Sequence, residues 1–106
     1  MYTRIVTFPL KANSTADFAK ATGNVALPLL RTHKGFLDQI NLVTSDGKTG
    51  FGISFWDSKE SAEAYSRSGF SEVMKALEKV TSGPPQVQLC EVTNSTVHKI
   101  AAARAA

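Results

Sequence analysis

Residues 35–65 carry the clearest structural pattern in the chain. An alternating apolar run over residues 36–44 is followed by Asp46-Gly47, a hairpin turn signal because glycine accepts a positive φ without steric cost. A second alternating run over residues 49–56 ends at Asp57-Ser58, and either side chain can cap the N-terminus of a helix. This order predicts a β-hairpin whose second strand leads directly into a helix.

The rest of the chain adds two strands and further helical segments. These are a strand over residues 2–10, a helix capped near residues 13–15 and kinked or restarted at Pro28, a helical region divided at Ser68-Gly69, and a strand over residues 87–92. The resulting order is β-α-β-β-α-β, which predicts the ferredoxin-like α+β fold. In that fold, helices cover one face of a four-stranded antiparallel sheet.

The two hairpin strands are apolar on both faces. In the first, strict alternation groups Phe36, Ile40 and Leu42 on one face and Leu37, Gln39, Asn41 and Val43 on the other. In the second, it groups Phe51, Ile53 and Phe55 against Gly50, Gly52, Ser54 and Trp56. Helices on one face of the sheet leave a large apolar patch on the other, so we expect a homodimer that buries it.

Composition limits the partners and the location that we expect. A chain of 106 residues with 42% hydrophobic residues predicts one globular domain, over residues 1–93, and a tail over residues 94–106 that is helical or frayed. Much of the net charge of +3 comes from this tail, where Lys99 and Arg104 stand without an acid, so no nucleic-acid interface is expected. No apolar run suits a membrane span and no signal peptide is evident, which makes a cytoplasmic location the expectation.

The cysteine and histidine content predicts no resident metal or cofactor. The single cysteine, Cys90, excludes an internal disulfide, and its place in an apolar strand predicts a buried core residue rather than a nucleophile. His33 and His98 are far apart in sequence and lack a metal-binding spacing. His33 is predicted to interact with the carbonyls of a helix end, with a general-base role as the alternative.

Four short pieces of sequence resemble, in their order and spacing, the antibiotic biosynthesis monooxygenase family of the dimeric α+β barrel superfamily. They are Gly35-Phe36 at the second strand, residues 55–62, Ser68-Gly69-Phe70 between two helical segments, and Gly83-Pro84-Pro85 before the last strand. The resemblance covers about residues 2–93. It implies a homodimer with two sheets packed face to face and, in each subunit, an apolar pocket between helices and sheet. Some members of the family oxidise fused aromatic phenols with O2 and no cofactor, and others cleave haem.

The same resemblance argues against haem cleavage by this chain. The haem-cleaving branch carries Asn on the first strand, Trp on the second helix and His one helical segment later. The corresponding positions are Thr7, Tyr65 and Lys75, and none of them matches. Lysine is not a usual haem ligand. The implied activity is therefore that of a cofactor-independent monooxygenase acting on a small aromatic or lipophilic molecule.

The resemblance also implies the residues of a site. Tyr65 and Asn41 are the implied catalytic residues, and Trp56, Phe70 and Thr7 are the implied substrate-pocket residues. Each of the first three has an alternative interpretation. Trp56 also suits a structural anchor at the strand-to-helix corner, Tyr65 a packing residue with its hydroxyl at the surface, and Asn41 a polar residue that faces the dimer partner.

Two other functions fit the same order of elements. The first is a non-catalytic ligand-binding or stress-associated homodimer, because no convincing general base is evident in the sequence. The second is an RNA-recognition motif. Residues 49–56 of this chain loosely resemble the sequence motif on the third strand of that domain. In that motif the second aromatic position is Ile53 and the first-strand aromatic is Val6, so the stacking partners for bases are missing.

Overall fold

A computed structural model describes residues 1–96, so most of the segment predicted as a tail, together with His98, lies outside the described residues. The elements in chain order are β1 (Tyr2–Pro9), α1 (Thr15–Ala21), a π-helical turn (Thr22–Ala26), α2 (Leu27–Leu30), β2 (Phe36–Val43), β3 (Thr49–Trp56), α3 (Lys59–Ser68), α4 (Phe70–Leu77) and β4 (Gln86–Glu91). Within residues 1–96, no helix has the length and hydropathy needed to cross a membrane.

The four strands form one antiparallel sheet in the order β2-β3-β1-β4. β1 is central, with β3 on one side and β4 on the other. β2 and β3 form the predicted hairpin, in whose turn Gly47 has a φ of 73° and Asp46 Oδ1 accepts a hydrogen bond from the Lys48 N–H. This topology confirms the predicted ferredoxin-like α+β fold.

The hydrophobic core lies between the helices and one face of the sheet. Its buried members include Val6, Phe8, Phe18, Leu30, Trp56, Ala62, Tyr65, Val73 and Leu77. Small residues of β3 on this face let the helices approach the strand closely. A Cβ atom at Gly50 would lie 2.8 Å from the ring of Phe18, which is only 1% exposed. The predicted grouping of Gly50, Gly52, Ser54 and Trp56 on one face of β3 is therefore confirmed.

The first helical region changes its hydrogen-bond pattern just before Pro28. Pro28 has no N–H, so the Asn24 carbonyl cannot receive the usual bond from the residue four positions later. The preceding residues form the π-helical turn, in which the Leu27 N–H donates to the Thr22 carbonyl. The Thr22 hydroxyl in turn donates to the Phe18 carbonyl at 2.9 Å. The predicted interruption is confirmed, and it takes the form of a wider turn ahead of the proline.

The second helical region begins and divides where the sequence predicts. Ser58 caps α3 through its hydroxyl oxygen, which accepts a hydrogen bond from the Ser61 N–H at 3.2 Å. Gly69 separates α3 from α4, and a Cβ atom there would lie 3.0 Å from the Tyr65 ring. At α1 the prediction is only half right, because Ser14 occupies the N-cap position but its side chain makes no capping bond.

Two predictions about the strands are wrong. The register of β2 shifts between Phe36 and Asp38, and this bulge places Phe36 opposite Trp56 on the helix-covered face instead of the face of Ile40. Strict alternation cannot anticipate the extra residue of a bulge. Cys90 is only half-buried, not a core residue, because β4 is an edge strand.

The second face of the sheet is apolar and carries no helix. We call this surface the open face, and define it by Ile5, Ile40, Leu42, Phe51, Ile53 and Phe55. Ile53 lies opposite Ile5 and Ile40, Phe51 lies opposite Leu42, and Phe55 is on the same face of β3 as Phe51 and Ile53. Ile40 and Leu42 are 45% and 46% exposed, which is unusual for large aliphatic side chains on neighbouring positions.

Candidate functional site

A small cavity lies between the sheet and the helices. Its polar lining residues are Arg4, Gln39, Asn41, Ser54 and Tyr65, and its apolar walls include Phe8, Leu30, Phe70 and Val73. The cavity volume is about 20 Å³, which is room for about one water molecule. A larger ligand therefore enters only if part of the wall moves.

Arg4 is the buried charge of this cavity. Its side chain is 2% exposed, and its guanidinium carbon lies 4.3 Å from the centre of the Phe70 ring and 5.0 Å from that of Tyr65. Its Nε is buried and has no hydrogen-bond partner among residues 1–96. Burial lowers the pKa of the Arg4 guanidinium, and Tyr65 partly offsets this, but arginine stays charged in proteins.

Among the described residues, no carboxylate balances the charge of Arg4. Arg4 has no salt bridge within residues 1–96, and Tyr65, the titratable group that acts on it, is uncharged at neutral pH. Residues 97–106 contain no Asp or Glu. A buried cation without an anion is rare, because buried charges are normally paired or fully hydrogen-bonded.

Tyr65 belongs to an aromatic cluster beside the cavity. Its ring stacks on Trp56 with the centroids 5.1 Å apart and meets His33 and Phe70 edge-on at 5.2 Å and 6.2 Å. Burial raises the pKa of Tyr65 to about 12, and Arg4 opposes this only in part. The hydroxyl therefore keeps its proton at neutral pH, so it can donate a hydrogen bond but cannot act as a general base.

Trp56 lies behind Tyr65 and does not line the cavity. It is fully buried, and its indole N–H donates to the Ser54 hydroxyl at 2.8 Å. These contacts are those of a structural anchor at the corner between β3 and α3, the alternative interpretation of this residue. Trp56 contributes to the site by stacking on the Tyr65 ring, which fixes the position of that ring.

Asn41 and Gln39 line the cavity, so the alternative interpretation of Asn41 as a residue that faces the dimer partner is wrong. The bulge in β2 and its pairing with β3 place Gln39 opposite Ser54 and Asn41 opposite Gly52. The Gln39 side-chain amide donates to Asn41 Oδ1 at 2.7 Å. Gly52 leaves room for this pair, since a Cβ atom there would lie 3.2 Å from Gln39 Nε2. The bond leaves the Asn41 amide N–H groups outside it, as donors for a ligand.

The structure separates the two remaining predicted pocket residues. Thr7 lies opposite Phe51, on the open face, and lines a surface depression away from the cavity. Phe70 does line the cavity, and it also lines a depression on the outer side of α4 that includes Met74. The half-buried Phe70 ring therefore forms the partition between the cavity and this outer depression.

His33 lies outside the cavity. It lines an exterior depression with Lys34, Asp57 and Ser58. The imidazole of His33 contacts the Tyr65 ring. No His, Asp or Glu of residues 1–96 lines the cavity, so this part of the chain offers it no carboxylate or imidazole base. The same residues contain no group of three potential metal ligands.

Arg4 is a site residue that no sequence motif indicates. The available signal was its place in β1 on the face of Val6 and Phe8, where a charged side chain interrupts an apolar row. Such a position predicts either an arginine whose guanidinium reaches the surface or one whose guanidinium is buried at a functional site. Only the structure, with Arg4 enclosed by the helices, decides between the two.

Comparison with solved structures shows this fold in several monooxygenases. The chain is similar to a monooxygenase from the gene ActVA-Orf6 of Streptomyces coelicolor in complex with Nanaomycin D, with a TM-score of 0.75, 19% identity, and coverage of 89% of this chain and 88% of that one. It is similar to SnoaB, a cofactor-independent oxygenase from Streptomyces nogalater, with a TM-score of 0.70, 18% identity, and coverage of 90% and 95%.

A third structure carries the family description itself. It comes from Bordetella bronchiseptica, is provisionally assigned as an antibiotic biosynthesis monooxygenase, and matches with a TM-score of 0.73, 17% identity, and coverage of 86% of this chain and 95% of that one. No protein-family model matches the sequence, and no curated protein matches it either. At these identities the likeness establishes the fold, and it confirms the predicted resemblance to structures of this family.

Proposed function

We propose that this chain is a monooxygenase-type domain that binds a small aromatic molecule in the cavity and lets it react with O2 without a cofactor. The observation that supports this most is the position of the cavity. Aromatic rings and hydrogen-bond donors converge on it, between helices and sheet, in the fold of an oxygenase that works without a cofactor.

The chemistry balances without an external reductant. A phenol reacts with O2 to give a quinone and water. One oxygen atom forms a bond to the ring, and the other leaves as water with the two hydrogens that the substrate loses. The substrate supplies the electrons, so the protein must only bind it, exclude water and stabilise the charge that develops on oxygen.

The lining residues suit these tasks. The rings of Tyr65 and Phe70 offer surfaces against which an aromatic substrate can pack. The Tyr65 hydroxyl, which keeps its proton, and the free amide N–H groups of Asn41 donate hydrogen bonds to substrate oxygens or to a bound peroxide. Both residues thus act as donors in this proposal, and neither acts as a base.

Entry of the substrate requires the cavity to open. Its volume of about 20 Å³ is far below that of an aromatic ligand. Phe70 is the wall shared with the outer depression, and it follows directly after the Gly69 break between α3 and α4. We propose that α4 swings or Phe70 changes rotamer to admit the ligand from this side.

We also propose that the functional unit is a homodimer, with two open faces packed against each other. The half-exposed Ile40 and Leu42 are the basis of this proposal, because a second copy would remove them from water. Replacement of Ile53, at the centre of the open face, by Lys should convert the dimer to a monomer in sedimentation. A wild-type chain that sediments as a monomer at all concentrations would contradict this.

The proposed activity is tested by O2 uptake with fused-ring phenols. We expect uptake that depends on both protein and phenol, and a loss of at least about tenfold in the Tyr65→Phe and Asn41→Ala variants if each removes one donor from the transition state. Tyr2→Phe is the matched control, because Tyr2 does not line the cavity. A folded wild-type protein that consumes no O2 with any such phenol would refute the proposal.

A second function stays open because the described residues bring no carboxylate or imidazole base to the cavity. The same cavity could serve a non-catalytic homodimer that binds and releases an unchanged aromatic ligand. Native mass spectrometry separates the two functions. A bound molecule that persists unchanged under O2 favours the binding protein. Its conversion to a product about fourteen mass units heavier, with one oxygen gained and two hydrogens lost, favours the oxygenase.

A further inference from the structure

The surroundings of Arg4 satisfy only part of what a buried guanidinium requires. Its guanidinium carbon lies over the rings of Phe70 and Tyr65, 4.3 Å and 5.0 Å from their centres. A ring stabilises the positive charge of the group, whereas the N–H donors need acceptors in the plane of the guanidinium. The Nε donor is buried and meets no acceptor among residues 1–96. Nε is therefore a donor of this group that lacks a partner.

The unpartnered Nε belongs to a side chain that lines the cavity. Arg4 is 2% exposed, so bulk water does not solvate it, and none of the described residues that line the cavity is acidic. A guanidinium edge presents parallel N–H donors that match the two oxygens of a carboxylate or one anionic oxygen. The group is therefore built to receive an anion that the described chain does not supply.

The other polar groups of the cavity favour the same kind of ligand. The Tyr65 hydroxyl keeps its proton and the Asn41 amide N–H groups lie outside the bond to Gln39, so both offer donors. Together with Arg4 they make a lining of donors without a negative charge. Such a lining stabilises an anionic oxygen and disfavours a cationic ligand.

We propose that Arg4 anchors an anionic oxygen of the ligand, so that the cavity takes aromatic molecules which carry an ionised phenol, enol or carboxylate group. This inference rests on the proposed function, since it takes the cavity as the ligand site. It also explains how the reaction could proceed without a general base among the described residues of the cavity. A phenol or enol that binds as its anion has already lost the proton whose removal would otherwise need a general base.

The test compares matched anionic and neutral ligands of one ring size by isothermal titration at constant ionic strength. The pairs are 2-naphthoate with 2-naphthamide, and 4-hydroxycoumarin, an acidic enol, with coumarin. We expect at least one anion to bind wild-type protein about tenfold or more tightly than its neutral partner, as for one charge-assisted hydrogen bond. The pair that shows the preference tells a carboxylate site from an enolate or phenolate site.

The variants assign the preference to Arg4. In Arg4→Met the ratio of anion to neutral affinity should fall to near one, while the neutral partner keeps its affinity. In Arg4→Lys a reduced preference should survive, because the charge stays and the planar fork is lost. Arg67→Met is the control, since Arg67 is an exposed arginine on α3, and its ratio should equal that of wild-type protein.

Thermal unfolding gives a second readout that does not depend on titration heats. The preferred anion should raise the unfolding temperature of wild-type protein and leave that of Arg4→Met unchanged. Without ligand, Arg4→Met should be at least as stable as wild-type protein. The inference is overturned if wild-type protein binds no anion, if it shows no preference for one, or if the preference persists in Arg4→Met.

Failure of this inference and failure of the proposed function are distinguishable. A protein that prefers anions through Arg4 but never consumes O2 with them upholds the inference and refutes the oxygenase. A protein that consumes O2 with neutral and ionised phenols equally well, with Arg4→Met fully active, upholds the oxygenase and refutes the inference.

Discussion

The Phe70 ring covers the Arg4 guanidinium, with 4.3 Å between the ring centre and the guanidinium carbon. Phe70 also borders the depression on the outer side of α4, where Met74 lies. The Phe70 side chain thus closes the cavity and contacts Arg4, which is the one charged residue among the described residues that line the cavity. Ligand entry past this ring would expose Arg4 to the incoming molecule first.

Removal of the Phe70 ring should open the cavity. Phe70→Ala is expected to lower stability by about 1–3 kcal/mol, less than for a fully buried Phe, and to speed ligand association. Stopped-flow quenching of Trp56, the single tryptophan, measures that rate. Met74→Ala is the control, because Met74 lines the outer depression but not the cavity. Equal association rates in the two variants would show that Phe70 is not the barrier.

Replacement of Arg4 by Met should stabilise the ligand-free protein. The change removes an uncompensated buried charge and keeps most of the side-chain volume, so we expect a gain of about 1–2 kcal/mol in the free energy of unfolding. Urea unfolding near neutral pH measures it. A loss of stability would mean that the contacts with Phe70 and Tyr65 outweigh the cost of burying the charge.

Tyr65 should make the protein sensitive to alkali. Its pKa is about 12 in the folded protein and about 10 in the unfolded chain, so the folded state holds the proton more tightly. The resulting stability is complete below about pH 10 and disappears as the pH rises to about 12, a loss on the order of 2–3 kcal/mol. Urea unfolding across this window should show the loss in wild-type protein and in Tyr2→Phe, and a smaller loss in Tyr65→Phe. An identical pH dependence in all three would contradict the raised pKa.

Two glycine substitutions should have opposite effects. Gly50→Ala places a methyl group 2.8 Å from the buried Phe18 ring, so we expect a loss of about 1–3 kcal/mol. Gly23→Ala meets no atom within 4 Å in a helical segment, so we expect a gain of about 0.4–1 kcal/mol from reduced freedom of the unfolded chain. Thermal unfolding of both variants, compared with wild-type protein, measures the two changes in stability. A neutral Gly50→Ala would mean that α1 shifts easily on the sheet.

The sequence was a good guide where local chemistry decides the structure. Asp46-Gly47 predicts the hairpin turn because Gly47 needs a positive φ, and Ser58 predicts the start of α3 because its hydroxyl caps the helix. In β3, strict alternation of successive residues between the two faces predicts the correct assignment. These features depend on neighbours in the chain, which the sequence displays directly.

The sequence was a poor guide where faces depend on pairing between strands. The bulge after Phe36 moves that residue to the helix-covered face, and the pairing of Gln39 with Ser54 and of Asn41 with Gly52 places both amides in the cavity. The resemblance implied Thr7 as a pocket residue, although its alternation with Val6 and Phe8 places it on the other face of β1. The burial of Arg4 depends on helices more than fifty residues away, and no local pattern distinguishes it from an arginine that reaches the surface.

The most direct test of the proposed activity is a reaction under ¹⁸O-labelled O2 with a fused-ring phenol that is ionised at neutral pH, followed by mass spectrometry of the product. We predict a quinone that carries one labelled oxygen atom, formed by wild-type protein and by Tyr2→Phe and strongly reduced in Tyr65→Phe. Recovery of unchanged phenol from the folded wild-type protein, or a quinone whose label and rate match those of a protein-free solution, would contradict the account.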